Sequence, residues 1–154
     1  MAKTAAELMS FIKENDIKMI DFKIVDINGQ FRHVTIPAAQ FSENTVKEGI
    51  GFDASNYGYA VVEKSDMVFI PDLETAIIDP FCEIKTLSIT GNAMVIDYPE
   101  NRPLAQYPRN IVAAAEQYMK DSGVADTMLI LPEFEFHLFD DVAWTVRPEE
   151  VAMS

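Results

Sequence analysis

The most constraining stretch lies late in the chain: Leu131-Pro132-Glu133-Phe134-Glu135-Phe136-His137-Leu138-Phe139-Asp140, preceded by Thr127-Met128-Leu129-Ile130. The alternation predicts one extended strand, because alternate side chains of a strand share a face. One face then carries Met128, Ile130, Phe134, Phe136 and Leu138. The other sets Glu133, Glu135 and His137 in a row, with Leu129, Leu131 and Phe139 beside them. Two carboxylates about 7 Å apart on a largely apolar face need a positive partner. Hard divalent cations such as Mg²⁺ or Mn²⁺ suit oxygen ligands of this kind. From spacing alone, the commoner meaning of E-x-E is a half-exposed strand with a solvated polar face.

A chain of 154 residues allows one ordinary domain, or a small domain and part of another. At 49% hydrophobic it can build a core. A formal charge of −13 argues against nucleic acid and against anionic membrane surfaces as partners. The single Cys82 has no partner for an internal disulfide, which fits a reduced thiol in the cytoplasm. No signal-peptide pattern and no apolar run of about 20 residues is expected to direct the chain elsewhere.

From the start, Thr4-Ala5-Ala6-Glu7 reads as a capping box for a short amphipathic helix that presents Leu8, Phe11 and Ile12 and stops at Asn15. Residues 17–26 alternate as a strand, with Ile20, Phe22 and Ile24 on one face and Asp21 and Lys23 on the other. Asn28-Gly29 predicts a two-residue hairpin turn with both positions at positive φ. Phe31 to Ile36 returns, and Pro37 ends the strand. His33, beside Arg32, reads as an ordinary strand residue. Ser42 and Gly49 bracket a short helix. Residues 51–60 read as a loop. Short strands follow at 67–70 and 75–78, then 86–90 and 93–97 joined by a second hairpin at Gly91-Asn92. Residues 98–103, with two prolines, mark a domain boundary. Pro108 opens a helix with an apolar stripe of Ile111, Val112, Ala115, Tyr118 and Met119, closed at Gly123. Residues 142–146 read as one more strand. The pattern as a whole is α+β.

Four motifs resemble glutamine synthetase, type I. Pro132-Glu133-Phe134-Glu135-Phe136-His137-Leu138-Phe139-Asp140 is similar to the P-E-x-E-F-x-x-F-D strand that opens that family's catalytic domain. Ser65-Asp66-Met67-Val68-Phe69-Ile70-Pro71-Asp72, with Thr75 and Asp79-Pro80-Phe81, resembles its S-D-M…P-D…T…D-P-F run. Gly51-Phe52-Asp53-Ala54-Ser55 is similar to its F-D-G-S-S loop, and Pro108-Arg109 to its D-P-R helix entry. The motifs stand in the family's order and at compatible spacing. Ala54 and Asn56 depart from the loop's Gly and Ser, Leu131 from the glycine before P-E, and Tyr107 from the aspartate of D-P-R. Loss of that aspartate implies a capping loss of about 1 kcal/mol.

The resemblance implies a β-grasp domain over residues 14–101, then the beginning of an α/β catalytic domain, incomplete here, over 102–154. The family joins glutamate and ammonia at the expense of ATP, through a γ-glutamyl phosphate, with two divalent ions as charge clamps. By the same resemblance, Asp53 and Asp66 belong to the ammonium region of a neighbouring subunit. Glu133 and Glu135 are ligands to Mg²⁺ or Mn²⁺, and His137 stands at a non-ligand position. Neither an N-H-x-S segment nor a K-P-F-A-like nucleotide segment occurs in the sequence. The 154 residues alone are therefore expected to show no synthetase activity. The expected partners are further copies of the chain or full-length synthetase subunits. The alternatives are a stand-alone β-grasp protein that docks on a full-length synthetase and modulates it, and a non-catalytic metal-binding or ubiquitin-like scaffold.

Overall fold

The computed structural model describes residues 4–153. Ser154, the last residue of the expected second domain, lies outside the described residues. Helix α1 (Ala5–Glu14) begins with the predicted capping box: the Thr4 hydroxyl accepts the Glu7 N–H at 3.2 Å, and the Glu7 carboxylate accepts the Thr4 N–H at 3.1 Å. Leu8 and Ile12 of the predicted stripe turn inward and Asn15 caps the end, while Phe11 stays exposed.

Strands β1 (Met19–Val25) and β2 (Phe31–Pro37) pair antiparallel, with Asp21 opposite Thr35 and Lys23 opposite His33. Their turn differs from the expected one. Of Asn28 and Gly29, only Gly29 takes positive φ, at +83°. The organiser is Asp26, whose Oδ1 accepts the N–H groups of Asn28 and Gln30, each at 2.9 Å. Its other oxygen accepts from Arg32 Nε at 2.9 Å. An aspartate that gathers its own turn's N–H groups competes successfully with a two-residue turn.

Helix α2 (Glu43–Glu48) is capped by Ser42, with Thr45 supplying the reciprocal bond, and ends at Gly49. The segment read as a loop starts as strand β3 (Ile50–Asp53), antiparallel to β4 (Asp66–Pro71). Strand β5 (Ile77–Ile78) is shorter than expected, because Leu73–Thr75 forms a 3₁₀ turn instead.

The second expected hairpin does not exist. Residues 86–95 form one strand, β6 (Thr86–Val95), that runs straight through Gly91-Asn92. Its first half pairs with β1 in parallel and with β5. Its second half pairs antiparallel with β4 and with β7 (Arg102–Pro103). Gly91 sits at the junction for want of room: a Cβ there would lie 2.2 Å from the Ile70 carbonyl oxygen. The glycine marks close approach of two backbones and not a turn. The sheet order is β2-β1-β6-β4-β3, with β5 and β7 also on β6.

One face of this sheet, together with α1, encloses the core. Ile20, Phe22, Ile24, Phe69, Leu87 and Ile89 are fully buried, with Leu8 above them. Phe22 stacks against Phe41 and meets Phe69 edge-on, with ring centroids 6.5 and 6.2 Å apart. The core runs past the expected boundary after residue 101, since Leu104 and the fully buried Tyr107 belong to it. Helix α3 (Pro108–Asp121) follows, with its apolar stripe exposed. The last elements are β8 (Trp144–Arg147) and β9 (Glu150–Met153), paired with each other as a separate ribbon.

The stretch 127–140, read from sequence as one strand, carries no strand, and its side chains are exposed. A β-strand is defined by its ladder, and none of the described strands pairs with this one. Alternating side chains supply the pattern but not the neighbour. The architecture is α+β: one mixed seven-stranded sheet, a separate two-stranded ribbon and few helices among the described residues.

Candidate functional site

The strand pair β3–β4 brings Asp53 and Asp66 directly opposite one another. Both are exposed at one end of the sheet. Like charges across a strand pair are unfavourable, so this arrangement favours a cation or a donor between them. Asp53 Oδ1 accepts the Ser55 hydroxyl at 2.6 Å and the Ser55 N–H at 2.9 Å, which makes Asp53 the cap of the 3₁₀ turn Ala54–Tyr57. The Ser55 hydroxyl, then the Ser65 hydroxyl and the Ser55 N–H, hold its carboxyl below the usual carboxylate range.

The turn behind Asp53 is rigidly seated. Ala54 is fully buried and its N–H donates to the Ser65 carbonyl at 2.8 Å, which extends the pairing one step past the two acids. Tyr57 packs edge-on against Phe52 at 5.3 Å. The Ile27 N–H donates to the Tyr57 carbonyl at 2.9 Å and ties the turn to the tip of the β1–β2 hairpin. Tyr59 donates its hydroxyl to the Val25 carbonyl at 2.8 Å. Burial, with Tyr107 and Asp26 nearby, pushes the Tyr59 hydroxyl up to about 12.

Glu133 and Glu135 lie elsewhere, on the exposed stretch between α3 and β8. Their oxygen donors suit a hard divalent ion. Yet no group of three or more His, Cys, Asp or Glu among the described residues could hold one. Two carboxylates fall short of a metal centre, so no chemical step is assigned to a metal here. His137 lies against Phe139, with rings 6.0 Å apart, and makes no metal cluster with the two glutamates among the described residues.

A polar network on the sheet face opposite the core was missed in the sequence. Asp21, only 4% exposed, accepts from Lys23 Nζ and His33 Nδ1 at 2.6 Å and from the Thr35 hydroxyl at 2.5 Å. Burial works to raise the Asp21 carboxyl. The bonds from Lys23, Thr35 and His33, with the Lys23 charge, outweigh it and hold the group below its ordinary range. Asp79, bonded to Ser88 at 3.1 Å and 3.9 Å from Lys23, extends the network. Asp21, His33 and Thr35, together with Cys82, edge an open groove of about 340 Å³. The available signal was register: once the hairpin is paired, His33 and Thr35 must fall beside Lys23 and Asp21.

No helix of the described residues is long and apolar enough to cross a membrane. A family model described as the glutamine synthetase β-grasp domain matches residues 16–95. The 3-hydroxylaminophenol mutase of Cupriavidus pinatubonensis is 40% identical over 147 residues, covering 95% of this chain and 31% of that protein. The glutamine synthetase of Azorhizobium caulinodans is 37% identical over 147 residues, with the same shares of 95% and 31%. The cryo-EM structure of Plasmodium falciparum glutamine synthetase matches with a TM-score of 0.71 over 99% of this chain and 29% of that one, at 21% identity, a likeness of fold. The chain thus spans about a third of the length of these curated relatives. With the family model covering residues 16–95, a span that holds strands β1 to β6 and the paired aspartates, the chain belongs to the glutamine synthetase family and carries its β-grasp domain.

Proposed function

We propose that this chain serves as the β-grasp portion of a glutamine synthetase, the ATP-dependent ligase that forms glutamine from glutamate and ammonia through a γ-glutamyl phosphate. The observation that carries the reading is the cross-strand pair Asp53 and Asp66: two exposed carboxylates at one end of a well-packed sheet. Set against a neighbouring subunit, they would attract ammonium and draw a proton from it as it becomes the nucleophile. Ser55 orients the Asp53 carboxylate by donating its hydroxyl and its N–H to Oδ1. Glu133 and Glu135 would be ligands to Mg²⁺ or Mn²⁺ once further protein groups complete the set. The ions would supply charge neutralisation at the phosphate of ATP.

The 40% identical mutase supports a wider family reading, in which a closely similar β-grasp portion serves a different reaction. The fold alone does not choose between the two reactions. A second reading is a stand-alone β-grasp protein that docks on a complete synthetase in the cytoplasm and modulates it.

The test is a coupled phosphate-release assay with glutamate, ATP, ammonium and Mg²⁺. It is run on this chain alone, and on this chain with the remaining two thirds of a family synthetase supplied as a second polypeptide. Turnover only in the mixture, with a raised ammonium KM for Asp53→Asn, is the expected result. Turnover by the 154 residues alone would overturn the proposal. Inhibition or activation of an intact synthetase that co-purifies with the chain would favour the second reading.

A further inference from the structure

Helix α3 raises a question of what holds it. It has 14 residues, none buried, and its N-cap position is Tyr107, which makes no side-chain capping bond. A helix of that length without tertiary support is marginal in water. Its support is gathered in the four residues at its start. The Tyr107 ring is fully buried, meets Tyr59 edge-on at 6.0 Å, and its hydroxyl accepts the Val25 N–H at 3.4 Å. Arg109 donates to the Asp72 carboxylate at 2.6 Å and to the Thr90 hydroxyl at 3.2 Å. The Asn110 amide donates to the Ala93 and Leu104 carbonyls at 2.8 and 2.9 Å.

The acceptors are fixed in turn. The Asp72 N–H donates to the Thr90 carbonyl at 2.8 Å. The Thr75 hydroxyl donates to the Asp72 carbonyl at 2.7 Å and accepts the Thr90 N–H at 3.0 Å. Asp72, Thr75, Thr90 and Arg109 are therefore one network, built where β4 ends against the middle of β6.

We infer that Tyr107, Arg109 and Asn110 form a root through which the sheet sets the direction of α3. The buried tyrosine takes over the anchoring that a capping aspartate would give. These are positioning residues. Strand β4 begins at Asp66, and the residue just past its end, Asp72, holds the helix that leads to Glu133 and Glu135. One rigid strand thus relates the paired aspartates to the departing chain.

The experiment is amide hydrogen exchange, read residue by residue on the intact 154-residue protein. Three variants are compared: Arg109→Ala, Asp72→Asn, and both together. Asp72→Asn keeps a side-chain acceptor for the Glu74 N–H, now at 3.2 Å, while removing the charge and the oxygen that accepts from Arg109. Each single variant is expected to speed exchange of the α3 amides about tenfold. The double variant should be no worse than Arg109→Ala alone, which already removes the bonds to both Asp72 and Thr90. Amides in the middle of β1 and β6 should keep their protection. Unchanged exchange in α3, effects that multiply in the double variant, or equal acceleration of the sheet amides would each overturn the inference.

Discussion

Gly91 offers the sharpest test of the sheet. Replacing it with alanine adds one methyl group at a position whose φ is not in the left-handed region, so no backbone penalty intrudes. The new Cβ would lie 2.2 Å from the Ile70 carbonyl oxygen and 2.9 Å from both the Ile70 carbonyl carbon and Phe69 Cε1. Two of these three atoms are backbone and cannot swing aside. Separation must grow by roughly 1 Å, and β4 and β6 must part where Pro71 faces Gly91. Overpacking of this kind costs about 1–3 kcal/mol. Working against it, Gly→Ala gains about 0.4–1 kcal/mol by restricting the unfolded chain. The net expectation is a loss of about 1–2 kcal/mol. Urea unfolding followed by circular dichroism measures it, with an unchanged m-value to show that the denatured state is not what moved. A stability within about 0.5 kcal/mol of the parent, or higher, would refute the close approach and with it the straight passage of β6.

Asp21→Asn should lower stability at pH 7 by about 1–3 kcal/mol, because a buried carboxylate loses its charge-assisted bonds from Lys23 and His33. The folded Asp21 carboxyl lies below its ordinary 3.8, so its contribution is present above that value and lost as pH falls below it. The variant's stability should therefore fall less steeply in acid, and parallel acid limbs in chemical denaturation from pH 6 to 2 would contradict this. Phe22→Ala, at a fully buried ring, should cost about 3–5 kcal/mol by the same unfolding assay. Glu133→Gln with Glu135→Gln should weaken Mn²⁺ binding in the completed enzyme, read by paramagnetic resonance of free Mn²⁺. Unchanged affinity would remove both from the ligand set.

What was legible in the sequence was local. Thr4 with Glu7, and Ser42 with Gly49, announced their helices because a cap is settled by residues three or four apart. The β1–β2 hairpin was legible for the same reason, although Asp26 and not Asn28 arranges its turn. Gly91-Asn92 misled because a glycine in a strand and a glycine in a turn look alike until the passing backbone is known. The stretch around Glu133 misled in the opposite way. Its alternation is fit for a strand, but strand formation depends on a neighbour that the pattern does not contain. Tyr107 read as a lost cap, whereas its ring fills the core, a role visible only once Tyr59 is brought beside it. Asp53 and Asp66 were singled out by resemblance to a motif. That they face each other follows from the β3–β4 register, which no local signal announced.

Strand β6 also dictates how the molecule can be made. The β1–β2 and β3–β4 pairs each join strands close in sequence and can form early at small entropic cost. Neither can close the core alone, because both dock on β6, and Ile20 must wait for Leu87 to arrive. Such distant pairings are slow, since loop closure comes before any stabilising contact. On a ribosome, the residues of both pairs emerge before residues 86–95, so their inner faces have no β6 to dock on until that strand has left the exit tunnel. The interval in which this protein is most open to mispairing is thus set by the position of one ten-residue strand in the chain.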